Sequence, residues 1–179
     1  MREPLNPYAN LRQVPGFLVT STDIQDGEPL PAEQFATYAG GLGRSPQLSW
    51  SGFPADTQSF VVTCFDPDAP TGSGFWHWAV ANLPASVTSL PANAGDPGTG
   101  LLPEGAITMP NEMREPSFTG AGPPEGTGVH NYWFVVHALN VPRIDIDPQA
   151  TPAVLGFMMR DAVIARGILV ATAEFGGAA

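Results

Sequence analysis

The chain has 179 residues, an apolar fraction of 43% and a formal net charge of −10, and all seven basic residues are arginine. That length suits one domain with a real core. The charge argues against nucleic acid or an anionic membrane face as a partner, since both need clustered Lys and Arg. The lone cysteine, Cys64, excludes an intrachain disulfide and a Cys-x-x-Cys metal site.

Residues 1–16 read as an extended arm rich in Pro and Asn, and 17–179 as a single domain. The opening "MREPLNPYANLRQVPGF" lacks the apolar stretch of a secretory signal, and no run approaches the ~18 apolar residues of a membrane span. The expected location is the cytoplasm, without membrane insertion. A first strand is predicted over 16–24, a short one over 45–54 and a strong one over 58–65, "QSFVVTCF". Another follows over 74–84, "GFWHWAVANLP", then an irregular section with one short strand near "GAITM", then the clearest strand of all, 129–141. Near the C-terminus the period changes. Thr151 stands as N-cap and Pro152 at the first helical position of a predicted helix over 151–166, with Val154, Met158 and Ala162 as its apolar stripe beside Leu155 and Met159. Gly167 is expected to close the helix before a last strand over 168–175. The expected fold is all-β dominated, an antiparallel β-sandwich with a C-terminal helix.

Side chains alternate faces along a strand. Phe75, His77 and Ala79 should then share one face, and Trp76, Trp78 and Val80 the other. In the later strand His130, Tyr132, Phe134 and Val136 share a face that His137 does not. His77 and His130 are thereby expected to meet across one side of a sheet, with His137 structural. Asp66 and Asp68 sit in "DPDAP", where an Asp beside Pro ordinarily caps a turn. A Gly-rich stretch, "GAGPPEGTGVHNYWF", leads into His130, and successive N–H groups in such a turn can form an anion-binding concavity.

The two stretches Asp66-Pro67-Asp68-Ala69-Pro70 through His77, and Gly122-Pro123-Pro124-Glu125-Gly126-Thr127-Gly128-Val129-His130-Asn131-Tyr132, together resemble the hallmark regions of the phosphatidylethanolamine-binding protein family. The wording Ser73 to Trp78 looks like its compact bacterial branch. The resemblance covers roughly residues 17 to 175. It implies a non-catalytic binding protein whose anion pocket maps onto Asp66, Asp68, Pro70, His77, Gly122, Pro124, His130 and Tyr132. The implied ligands are phosphate, acetate-like anions or a phosphoethanolamine-type head group, and the implied partners a kinase or serine protease and a second copy of the chain. An aromatic residue that closes the pocket from the C-terminal segment in animal members has no clear counterpart; Phe157, Met158 and Met159 stand nearest to that role.

Other chemistries are weaker. Cys64 shares strand parity with Asp66, which admits a Cys–His–Asp hydrolase, but a lone Cys among Phe and Val reads as a small buried hydrophobe. No Gly-x-Ser-x-Gly elbow, phosphate loop or dinucleotide fingerprint is present. Two His and two Asp could ligate a divalent cation, yet their spacing matches no standard metal motif. No cofactor is expected.

Overall fold

The structure is a computed structural model and describes residues 5–178. Among the described residues eight strands and one α-helix follow one another: β1 (Gly16–Thr20), β2 (Leu48–Ser51), β3 (Ser59–Asp66), β4 (Phe75–Pro84), β5 (Ser89–Leu90), β6 (Ile107–Thr108), β7 (His130–Leu139), α1 (Pro152–Met159) and β8 (Val163–Ala173). All eight strands join one sheet in the order β5-β2-β1-β8-β7-β3-β4-β6. The expected antiparallel sandwich is corrected on two counts. The strands form one continuous hydrogen-bonded sheet, and β1 runs parallel to β8, with Gly16 opposite Arg166 and Phe17 opposite Gly167.

The sheet is curled. β2 and β3 are four places apart in strand order, which in a flat sheet is about 19 Å. Yet the rings of Trp50 in β2 and Phe60 in β3 are 5.4 Å apart, edge to face. The β5-β2-β1 side therefore bends over the β3–β4 side and encloses the main core, which holds Leu48, Phe60, Trp78, Val80 and Phe134. The outer face of the same strands carries a second, smaller core of Val61, Ala79, Leu139 and Val163, covered by Leu155 and Met159 of α1. β3 lies between β7 and β4 and is buried along almost its whole length, as its β-branched and aromatic run requires of a central strand.

The helix begins as expected and ends early. Thr151 Oγ1 accepts the N–H of Val154 at 3.2 Å and Pro152 opens the first turn. The last helical residue is Met159, and β8 starts at Val163, five residues before the expected strand. From Val163 the burial alternates strictly along the strand, so a period of two prevails over the helical reading of the same residues. Of the expected stripe, Val154 and Met158 face outward, while Leu155 and Met159 are buried. Gly167 closes no helix. It lies in β8 against Phe17 and Val19, where a Cβ would collide with both side chains.

Candidate functional site

β3 ends at Asp66, and the chain turns through the two prolines before β4 begins at Phe75. Asp66 is buried, and its Oδ1 accepts the N–H groups of Asp68 and Ala69 at 2.8 and 3.1 Å. Its Oδ2 lies 2.7 Å from Nδ1 of His130, the first residue of β7. The other ring nitrogen of His130 is 2.9 Å from Oγ1 of Thr127, and that hydroxyl is also 2.7 Å from the carbonyl of Pro124. A hydroxyl has one proton to give. If Thr127 donates to Pro124, His130 donates through Nε2, and a further proton is held between Nδ1 and Asp66. If Thr127 donates to His130, Nε2 is bare and Nδ1 alone carries the ring proton. One hydroxyl rotation thus separates two protonation states of the Asp66–His130 pair. Burial pushes the Asp66 carboxyl above its ordinary value, against the pull of His130.

His77 is buried, with Nδ1 2.8 Å from the carbonyl of Thr119. A carbonyl only accepts, so Nδ1 carries the proton and Nε2 keeps its lone pair, which has no partner among the described residues. Burial is the main cause that pushes this imidazole down to about 4, so it is neutral at pH 7. Tyr132 stands beside it, rings 5.0 Å apart and edge to face. Burial first, and the charge of Asp66 next, raise the Tyr132 phenol well above its ordinary value and keep it a neutral donor.

These groups surround a cavity of about 240 Å³, and seven of the eight expected residues line it. Asp68 does not. Its Oδ2 accepts both the backbone N–H and the side-chain amide of Asn131, at 2.9 and 2.8 Å, which ties the turn to β7. Phe157, Met158 and Met159 are also absent from the wall, because α1 packs on the outer face of the sheet. Tyr38, from a short 3-10 turn over Thr37–Ala39, lines the cavity instead and lies against Gly122. Nothing in the local pattern around Tyr38 signals this role.

His77 and His130 meet as expected, but strict alternation would have kept them apart. Ala79 belongs to the outer core, whereas Trp78 and Val80 belong to the main core with Tyr132. His77 reaches the main-core side through a β-bulge: Cys64 pairs with Trp78 and the next residue, Phe65, with Trp76, so His77 and Trp78 together oppose one residue of β3. The same bulge sends Trp76 to the outer face, where it stacks on Phe65 at 4.3 Å.

The phosphatidylethanolamine-binding protein family profile matches residues 20–174. The chain belongs to that family. Among curated family relatives, the UPF0098 protein YbcL of Escherichia coli is 45% identical over 149 residues, covering 82% of this chain and 81% of its own. The UPF0098 protein YbhB of the same organism is 46% identical over 139 residues, covering 76% and 87%. The crystal structure of Escherichia coli YbcL, a member of the mammalian PEBP family, superposes with a TM-score of 0.85 at 43% identity, covering 88% of this chain and 98% of that one. Among the described residues, this family member has no group of three or more His, Cys, Asp or Glu arranged to hold a metal ion, and no helix long and apolar enough to cross a membrane.

Proposed function

We propose that the protein is a non-catalytic binder of small phosphate-type anions or phospholipid head groups, which it takes in the cavity between His77 and His130. The observation that carries this reading is the unpartnered Nε2 of buried His77 beside the Asp66–His130 pair. A neutral imidazole with a bare nitrogen accepts a hydrogen bond from a protonated group of the ligand. It therefore suits a singly protonated phosphate, or the ammonium of an ethanolamine head group, while the Tyr132 hydroxyl donates to a ligand oxygen. An entering anion also favours the protonated state of the Asp66–His130 pair, since that state removes one negative charge from the site.

Size and energy support a head group rather than a whole lipid. A cavity of about 240 Å³ lies below the ~300–1,000 Å³ of ordinary small-molecule sites. Two or three charge-assisted hydrogen bonds at ~1.5–3 kcal/mol each, less the cost of association, give roughly micromolar to millimolar affinity. A catalytic reading finds little support: Cys64 is fully buried, and burial raises its thiol far above the ordinary value.

The test is calorimetric titration of phosphate, phosphoethanolamine and acetate at pH 5.5 and 7.5, with His130→Ala as control. Binding that tightens at the lower pH and disappears in the variant is the expected result. Absence of heat with all three ligands would overturn the reading.

A further inference from the structure

A second cavity, of about 420 Å³, lies on the outer face of the sheet, between the N-terminal arm, β3, β4, β7, β8 and α1. Its wall is rich in aromatic side chains, with Tyr8, Phe65, Trp76 and Phe157 among them. Three of the seven arginines also line it: Arg12, Arg160 and Arg166. In a chain of net charge −10 this is a marked concentration of positive charge. Arg166 Nη1 donates to the carbonyl of Arg12 at 2.9 Å, and Arg12 Nη2 to that of Val163 at 3.1 Å. Each guanidinium has five N–H donors, so most remain. Arg160 pairs with Asp161, but among the described residues no carboxylate lies within 4.0 Å of Arg12 or Arg166.

The floor is polar and unsatisfied. His137 Nδ1 and Arg166 Nε are buried without hydrogen-bond partners, two of the seven such side-chain atoms among the described residues, and the Tyr8 hydroxyl beside them lies near Thr63. Buried polar atoms are normally paired, and the grouping of these among the residues that line one cavity makes the layer beneath its surface polar, although the atoms themselves are closed to solvent. His137 is held down to about 3 by burial, and next by the charge of Arg166, so it is neutral and the positive charge comes from the arginines.

Gly156 supplies an independent observation. It sits inside α1, where glycine weakens a helix relative to alanine. A Cβ at that position would meet nothing within 4 Å, so packing does not demand the glycine. The residue lines the cavity, and its missing side chain keeps that space open.

We propose that this cavity is a second binding site, for an amphiphilic carboxylate whose anionic head meets Arg12 and Arg166 and whose apolar body lies against Phe65, Trp76 and Phe157. The two-N–H fork of a guanidinium suits the planar two-oxygen geometry of a carboxylate. The cavity falls within the usual range of small-molecule sites, enough for one aryl group or one medium alkyl chain.

The experiment is calorimetric titration of octanoate and 4-phenylbutyrate, with 1-octanol and 4-phenyl-1-butanol as uncharged counterparts. The acids should bind saturably and each at least tenfold more tightly than its alcohol, and the tighter acid identifies the body as alkyl or aryl. Gly156→Leu should weaken the acids at least tenfold while leaving phosphate binding and the thermal midpoint intact or higher. Arg166→Gln should weaken them about tenfold, and Arg12→Gln, at an exposed position, gives the same readout if the first variant fails to fold. Asp66→Asn should leave octanoate binding unchanged. The proposal is overturned by no saturable binding of either acid, by equal binding of acid and alcohol, or by acid binding that survives Gly156→Leu.

Discussion

Asp66 and Asp68 stand two residues apart in one turn and face different partners: Asp66 holds the ring of His130, and Asp68 holds the backbone and side chain of Asn131. The difference separates their roles. Asp68→Ala removes two hydrogen bonds to a carboxylate and should lower stability by about 1–3 kcal/mol. The pH profile of phosphate binding should keep its shape. Asp66→Asn should change the shape of that profile, because it removes a carboxyl that burial raises and that lines the cavity. Chemical denaturation and calorimetry on the two variants, run side by side, check both statements.

Phosphate binding should take up protons. His77 is neutral at pH 7, with a bare Nε2 in the cavity wall that accepts a hydrogen bond from a protonated phosphate. The more protonated ligand gains in abundance as pH falls from 7.5 towards 5.5, so binding tightens. Titrations in buffers of different ionisation enthalpy measure the uptake directly. His77→Phe, which keeps a ring but no acceptor, should reduce the uptake and weaken phosphate about tenfold. Identical apparent enthalpies in every buffer would contradict the coupling.

Stability should fall on mild acidification. Burial holds His77 at about 4 and His137 at about 3, both below the ordinary 6.5. Between those values and 6.5 the unfolded chain binds protons that the folded chain refuses, so stability is full above pH 6.5 and is lost as pH falls through that window. The two groups together amount to several kcal/mol, on the order of 3 or more each once the folded values are reached. Asp66, raised by burial, works in the opposite direction and returns some stability at the acid end. Thermal midpoints at pH 7, 6, 5 and 4 should decline, and His137→Gln should make the decline shallower.

Gly120 and Gly122 should respond differently to alanine. A Cβ at Gly120 would run into the backbone of Phe35 and Ala36, which cannot move cheaply, so Gly120→Ala should destabilise the fold by about 1–3 kcal/mol. At Gly122 the obstacle is the side chain of Tyr38, which is 80% exposed and free to swing away. Gly122→Ala should leave the thermal midpoint nearly unchanged and alter phosphate affinity several-fold by displacing Tyr38. Melting curves and phosphate titrations distinguish the two.

The strands that build the site were legible because β3, β4 and β7 are long runs of β-branched and aromatic residues. β5 has only two residues and carries no periodicity to read. The end of α1 is ambiguous in the sequence because residues 160–166 satisfy a helical and an alternating pattern equally well until neighbours choose. No local signal announces that β1 will lie parallel to β8, since that choice depends on how far the sheet curls. In the site, the motif residues could be named from the two hallmark stretches, but the bulge that delivers His77 looks like ordinary alternation between its flanking tryptophans. Tyr38 and the separate duty of Asp68 are tertiary facts, visible only once the loops are in place.

The β1–β8 pairing has a consequence for how the molecule comes into being. Gly16 and Arg166, partners in the sheet, are 150 positions apart in the chain, and a ribosome supplies β8 after the other seven described strands. Until then β1 and β7 each lack the neighbour that joins the two halves of the sheet. Closing so long a loop before any contact rewards it makes for slow, late folding and a nascent chain with open strand edges. Deletions within β8 should therefore harm folding yield far more than equal changes to the exposed loop before β6.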